Sequence, residues 1–153
     1  MLGDVVASAL DVGPVVVVTD DPSVVPGDAQ TIVDPGAGLG AAVAAGLDSV
    51  EGHVLVINAD LPCATAASLR RLAASGLALV EAADGTTNAL SLPDPSVFSP
   101  LYGPGSAARF RDHAPFVRVR IPELEVDVDC ESDLHGLTFP LGPRTRSLLA
   151  VHA

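Results

Sequence analysis

Lysine is absent from this chain, tryptophan is absent, and aromatic residues make up only 3% of it. With so few rings, the core has to be assembled from Val, Leu, Ala and Ile, which favours strands alternating with small-residue helices. All eight cations are arginines, set against nineteen acids, for a net charge of −11 and a pI near 4.4. A surface of that sign does not neutralise a run of phosphates, so a protein that tracks a nucleic-acid backbone is excluded. A small anion held through a metal ion stays compatible. Two cysteines, Cys63 and Cys130, are too few for a disulfide framework, and both are expected reduced and half-buried. The four histidines are scattered without ligand spacing, which supports neither zinc nor a His-based triad, and no Ser sits in a nucleophile elbow. A long apolar run is missing as well. Gly13-Pro14 interrupts the longest one well short of the roughly 20 residues that span a bilayer, and Met1 is followed by Leu-Gly-Asp in place of a basic leader. The expectation is a soluble, cytoplasmic protein with no membrane or nucleic-acid partner.

What is present is enough chain for one domain over residues 1–153, in which about 70% of the unfolded chain's surface becomes buried. Leu2, Val5, Val6, Ala9 and Leu10 recur at helical spacing up to Gly13-Pro14. Strands follow at Val15 to Thr19 and Thr31 to Val33, then a small-residue helix opened by Gly36-Ala37-Gly38-Leu39-Gly40 and running to about Ser49. Val54 to Ile57 reads as a strand buried on both faces, and Asp60 then falls beyond its carboxyl end, where open α/β sheets place their ligands. A helix spans about Ala64 to Ser75, strands Leu77 to Ala82 and Asn88 to Leu92, a short helix carries Arg109, and a strand runs from Val117 to Ile121. Glu125 to Asp129 alternates Val with acid. Short helices are expected after Asp129 and from about Pro143 to Ala150.

Asp60, Asp127 and Asp129 are the candidate metal ligands. Side chains two apart on a strand share a face, so Asp127 and Asp129 can look toward one ion, and carboxylate oxygens completed by water and substrate phosphates suit Mg²⁺. The same acids also read as strand-end caps in an acidic protein, and both readings stay open on spacing alone. Gly36-x-Gly38-x-x-Ala41 after a strand, with Asp60 about 20 residues on, fits a dinucleotide-binding fingerprint, although Pro35 intrudes in the turn. Asp84-Gly85-Thr86-Thr87-Asn88-Ala89-Leu90 places hydroxyls and an amide at a strand start, where they could meet a phosphate or carboxylate, and its Asp-Gly equally describes a hairpin turn. Gly103-Pro104-Gly105-Ser106 sets free amides and a hydroxyl at a helix start, with Arg109 one turn on, an arrangement that binds anions or is explained by N-capping from Ser106.

In order, Asn-Ala-Asp-Leu-Pro (58–62), Asp-Gly-Thr-Thr-Asn-Ala-Leu (84–90), Tyr-Gly-Pro-Gly-Ser-Ala-Ala-Arg-Phe (102–110) and Asp-Val-Asp-Cys-Glu-Ser-Asp-Leu (127–134) form a series. It resembles the guanylyltransferases that act on 2-phospho-L-lactate or phosphoenolpyruvate in making the deazaflavin coenzyme F-420. The resemblance extends from about Met1 to Ala150 and includes the closing Leu-Gly-Pro-Arg-Thr-Arg. It implies an α/β nucleotidyltransferase fold like that of the molybdenum-cofactor guanylyltransferases, a three-layer α/β/α Rossmann-like domain with a mixed, mostly parallel sheet. It also implies transfer of GMP from GTP to a phosphorylated three-carbon acid with release of pyrophosphate. By matching position, Asp60, Asp127 and Asp129 would hold Mg²⁺ and carry catalysis, Thr87, Gly103, Ser106 and Arg109 would meet the acceptor, and Gly38 and Gly40 would lie against the nucleotide.

The chain departs from that family in two places. Gly38-Leu39-Gly40 stands where the family has Gly-Leu-Asn, and no strand or Lys- and Arg-bearing phosphate loop precedes the first helix. The expectation is therefore a true start upstream of Met1, or a truncated homologue that binds acceptor or partner only. An unpaired central strand in such a chain is expected to favour a homodimer. The glycine run at Gly36 keeps a dinucleotide-binding oxidoreductase as the reading from a different class.

Overall fold

The computed structural model describes residues 1–128, 130, 133, 137 and 139–151. Helix α1 (Leu2–Leu10) turns Val5 and Val6 inward and ends before Gly13-Pro14, where proline ends helical pairing. Strands β1 (Val16–Thr19) and β2 (Gln30–Val33) run parallel, joined through a short 3₁₀ turn at Pro22–Val24 that Asp21 caps by accepting from Ser23 N at 3.0 Å. Helix α2 (Leu39–Leu47) and strand β3 (Val54–Ile57) follow. Helix α3 (Ala66–Ala73) opens on a reciprocal capping box, Thr65 Oγ1 accepting from Ser68 N at 3.1 Å and Ser68 Oγ accepting from Thr65 N at 2.9 Å. Strands β4 (Ala78–Glu81) and β5 (Thr87–Leu92), helix α4 (Ser106–His113), the short strand β6 (Val117–Arg118), helix α5 (Pro122–Glu125) and helix α6 (Pro143–Val151) complete the described elements.

The larger sheet has the order β3-β5-β4-β6, with β5 antiparallel to both neighbours and β4 parallel to β6. Three of its strands therefore share a direction, as do β1 and β2, which gives the mixed, mostly parallel arrangement expected from the sequence. Alternate residues of the larger sheet feed two cores. Ala78, Val80 and Ala89 meet Val5, Leu69, Leu72 and Leu124 on one side. Leu79, Leu90 and Leu92 meet Leu47, Ala107 and Phe110 on the other. Period-two side chains packed against helices on both faces make three layers.

The expected single sheet is divided. β1 and β2 form a separate two-stranded ladder, and β1 and β3 flank an apolar cavity of about 730 Å³. Val15 to Val18 and Val54 to Ile57 line it, with Val5 and Ala9 of α1 and Val43 and Gly46 of α2. Among the described residues each of these strands is laddered on one edge only, so Val16 to Thr19 and Val54 to Ile57 are half-buried where the sequence pattern predicts full burial.

First and last helices are tied by one buried acid. Asp4 accepts from Arg144 N (3.0 Å), Thr145 N (2.7 Å) and Thr145 Oγ1 (2.7 Å), satisfying the first amides of α6. Burial pushes its carboxyl up, but the bonds from Thr145 and Arg144 outweigh this and leave it below the ordinary carboxylate value. Gly142 permits the approach, since a Cβ there would lie 2.6 Å from Asp4 Oδ2.

Candidate active site

Strand β3 ends at Ile57, and the chain turns through Asn58-Ala59-Asp60 before the buried Leu61. Two bonds to β5 fix this turn: Asn58 N donates to Asn88 O (3.0 Å) and Asn58 Nδ2 to Thr87 O (3.3 Å). From the other side Val128 N donates to Asp60 O at 3.1 Å. The structure thus brings the Asp127 segment against Asp60 although 67 residues separate them in sequence. Val126 leaves α5 in extended conformation, and residues 126–128 join no ladder among the described residues. Asp129 and the helix expected after it lie outside the described residues.

Asp60 also lines the cavity between β1 and β3, at the carboxyl end of β3. Among the described residues, His53 and Asp60 are the only ionisable side chains lining it, and no Arg does so. His53 is spent on Ser91, whose Oγ shares a hydrogen bond with its Nε2 at 2.9 Å. Among the described residues, cationic help for an anion here is absent, Asp60 is the one carboxylate lining the cavity, and no group of three His, Cys, Asp or Glu side chains gathers to hold a metal ion. One or two carboxylates, with substrate phosphates and water completing the shell, are the donor set Mg²⁺ takes, and Asp60 supplies one of them.

The acceptor candidates form a second cluster. The turn between β4 and β5 is an Asx turn, Asp84 Oδ1 accepting from Thr86 N (2.9 Å) and Thr86 Oγ1 (2.6 Å), with Gly85 at φ +85°. Those bonds hold the Asp84 carboxyl below its ordinary value. Thr87 and Ser106 are both buried, and Ser106 Oγ donates to Thr87 Oγ1 at 3.0 Å. Helix α4 is not capped by Ser106: Gly105, left-handed at φ +69°, holds the N-cap position, and the amides of Ser106 and Ala107 donate to Gly103 O (3.0 Å) and Gly85 O (3.2 Å). These two amides, expected to be free for an anion, are thus taken by the molecule's own carbonyls.

Arg109 folds back over the same loop. Its Nε and Nη2 donate to Leu101 O at 3.1 and 2.8 Å, and further bonds reach Tyr102 O and Pro104 O. It clamps residues 101–104 while remaining exposed on its outer side. Beneath, the Tyr102 ring stands edge-on to Phe110, centroids 5.4 Å apart, and burial pushes its hydroxyl well above the usual tyrosine range.

Gly38 caps α2 at φ +89° without a side-chain bond, and Asp34 Oδ1 accepts from Gly36 N at 2.8 Å. Gly40 has a packing reason to be glycine: a Cβ there would lie 2.7 Å from Pro100 Cβ and 3.2 Å from Pro100 Cα. Of the cysteines, Cys63 is buried, its thiol pushed up first by burial and then by the Glu123 charge, whereas Cys130 is exposed and not half-buried as expected. Cys63 Sγ donates to Phe139 O at 3.7 Å, and Cys130 Sγ donates to Asp133 Oδ2 at 3.2 Å.

The structural roles of two residues were not foreseen: Asn58 was not singled out, and the Asn88 amide, expected to meet a phosphate or carboxylate, donates to Leu124 O. Both lie inside the quoted motifs, and the available signal was an amide adjoining an apolar strand run, where a polar side chain needs a partner.

Over residues 1–103 the sequence matches the MobA-like NTP transferase domain. It is similar to the phosphoenolpyruvate guanylyltransferase of Geodermatophilus obscurus, 37% identical over 167 residues, which takes in 97% of this chain and 76% of the relative. The enzyme of the same name from Thermomonospora curvata is 35% identical over 169 residues (96% of this chain, 74% of the relative). That of Streptomyces scabiei is 33% identical over 174 residues (96% and 80%).

Proposed function

The chain belongs to the MobA-like NTP transferase family, and from that premise we propose that it is a guanylyltransferase, passing GMP from GTP to the phosphate of a three-carbon acid and releasing pyrophosphate. The named activity of the three relatives supports phosphoenolpyruvate as acceptor. 2-Phospho-L-lactate is the close alternative, and formation of coenzyme F-420 the setting. The observation that carries the reading is the bond from Val128 N to Asp60 O, which sets the acidic segment at the carboxyl end of β3.

In the reaction an acceptor phosphate oxygen attacks the α-phosphorus of GTP. The bond from that phosphorus to the bridging oxygen breaks, and its electron pair leaves with pyrophosphate. Mg²⁺, when bound, supplies the positive charge that the phosphates need and that the cavity lacks. Asp60, Asp127 and Asp129 would hold it. Thr87, Gly103, Ser106 and Arg109 shape the acceptor loop, and Gly38 and Gly40 the nucleotide side. No enzyme nucleophile is required. The test is pyrophosphate release with GTP, Mg²⁺ and phosphoenolpyruvate, with 2-phospho-L-lactate in parallel. Release that depends on acceptor is the expected result, and none with either acid counts against the proposal.

The cation-free cavity between β1 and β3 favours a second reading, a homologue that binds acceptor but turns over poorly. Calorimetry separates the two: acceptor heat without GTP heat supports this one.

A further inference from the structure

Asn88 lies on β5, 1% exposed, between the core residues and the acceptor hydroxyl of Thr87. Its Nδ2 donates to Leu124 O at 3.1 Å, across a gap of 36 residues in sequence. Its Oδ1 has no hydrogen-bond partner among the described residues. A leucine of similar shape would fill the same space without leaving a buried acceptor unmet.

That bond closes a ring. Asn58 N donates to Asn88 O, and Asn58 is two residues before Asp60. Val128 N donates to Asp60 O, and Asp127 immediately precedes Val128. The Asn88 side chain then returns to Leu124, at the foot of the same acidic segment. Asp127 is bracketed by two bonds, one reaching β5 through Asn88 and one reaching Asp60. Leu124 itself is fully buried, so the carbonyl that Asn88 holds is a fixed point. The Nδ2 bond and the Val128 bond thus hold the two ends of the segment after α5, beside the burial of Leu124 and Val128.

We propose that Asn88 is a positioning residue of the metal site, setting Asp127 at the distance from Asp60 that one divalent cation requires. The proposal rests on the reading of those two acids as ligands. Groups that orient ligands without touching the ion typically alter affinity by about 10- to 100-fold.

The experiment uses the full chain and Mn²⁺ as probe, with free Mn²⁺ read by electron paramagnetic resonance below the melting temperature of every variant. Asn88→Leu and Asn88→Ala are expected to weaken Mn²⁺ binding about 10-fold. Asp4→Asn, which loosens the fold at the α6 latch, is expected to leave Mn²⁺ affinity unchanged, a difference that a merely structural role for Asn88 would not produce. Wild-type affinity in a folded Asn88→Leu overturns the positioning role alone. Absence of Mn²⁺ binding by the wild-type chain overturns the metal reading beneath it as well. If neither Asn88 variant folds, ¹⁵N spectra of the wild-type chain decide: Mg²⁺ is expected to shift the Asn88 side-chain and Val128 backbone amides, and unmoved resonances overturn the proposal.

Discussion

The two sheets occupy different environments. Every residue of β5 is buried, as are Ala78 to Val80 of β4, while no residue of β1 or β2 is. β5 is laddered on both edges and covered on both faces; β1 is laddered on one edge and turns the other to the cavity. The valine-rich β1 and β3 thus end up as cavity wall, whereas β5, which has no valine, is core because it finds neighbours on both edges. The same division runs through the site. The half with Asp60, Thr87 and Ser106 is cross-bonded to the core, and the Gly38 half rests on the smaller ladder.

The largest test of this contrast is a pair of truncations. Leu90→Ala, at a fully buried position, is expected to cost about 2–5 kcal/mol in urea melts, whereas Val17→Ala on β1 is expected to cost about 1 kcal/mol, because its side chain is already half in the cavity. Equal costs would erase the distinction. Next, Asp60→Asn is expected to lower pyrophosphate release by about 100-fold, while Asp34→Asn, at the corresponding end of β2, leaves it within about twofold. Steady-state rates at saturating Mg²⁺ decide this.

Asp4→Asn is expected to cost about 1–3 kcal/mol at neutral pH, since a side-chain N–H would then oppose the α6 amides or one oxygen bond would be lost. The sign of its pH dependence follows from the lowered native value. The unfolded chain holds its proton more tightly, so the stabilisation is complete above the unfolded value of about 3.9 and is lost as pH falls through the lower native one. Chemical denaturation of both proteins should converge at acid pH. Smallest is Gly40→Ala, where Pro100 must give way. About 1 kcal/mol is expected, with a thermal melt as readout and the loss confined to the contact between α2 and the loop before α4.

Much of this architecture was legible in the chain. Leu2 to Leu10, the β3 run and the Asp84-Gly85 turn carry helical spacing, β-branched density and turn chemistry that act within a few residues. Asp60 was found because it follows a strand. The role of Arg109 as a clamp on Leu101, Tyr102 and Pro104 was not legible, because backbone carbonyls leave no mark in sequence. The alternation from Glu125 was misleading for a similar reason: Pro122 starts a helical turn that takes in Glu125, and among the described residues no ladder partner lies beside residues 126–128. Capping of α4 by Gly105 also went unread, since the carbonyl of Gly85 that accepts from Ala107 N comes from another element.

By itself the sequence determined the alternation of helices and strands, the low positive charge and the identity of the acids. Each of these follows from local periodicity or from side-chain chemistry. Only the tertiary structure decided that the strands separate into two ladders around a cavity, that Thr87 and Ser106 spend their hydroxyls on each other, and that Asn88 joins β5 to the acidic segment. Those outcomes depend on which backbone groups find partners across tens of residues, and hydrogen bonding at that range is fixed by packing and not by the neighbours in the chain.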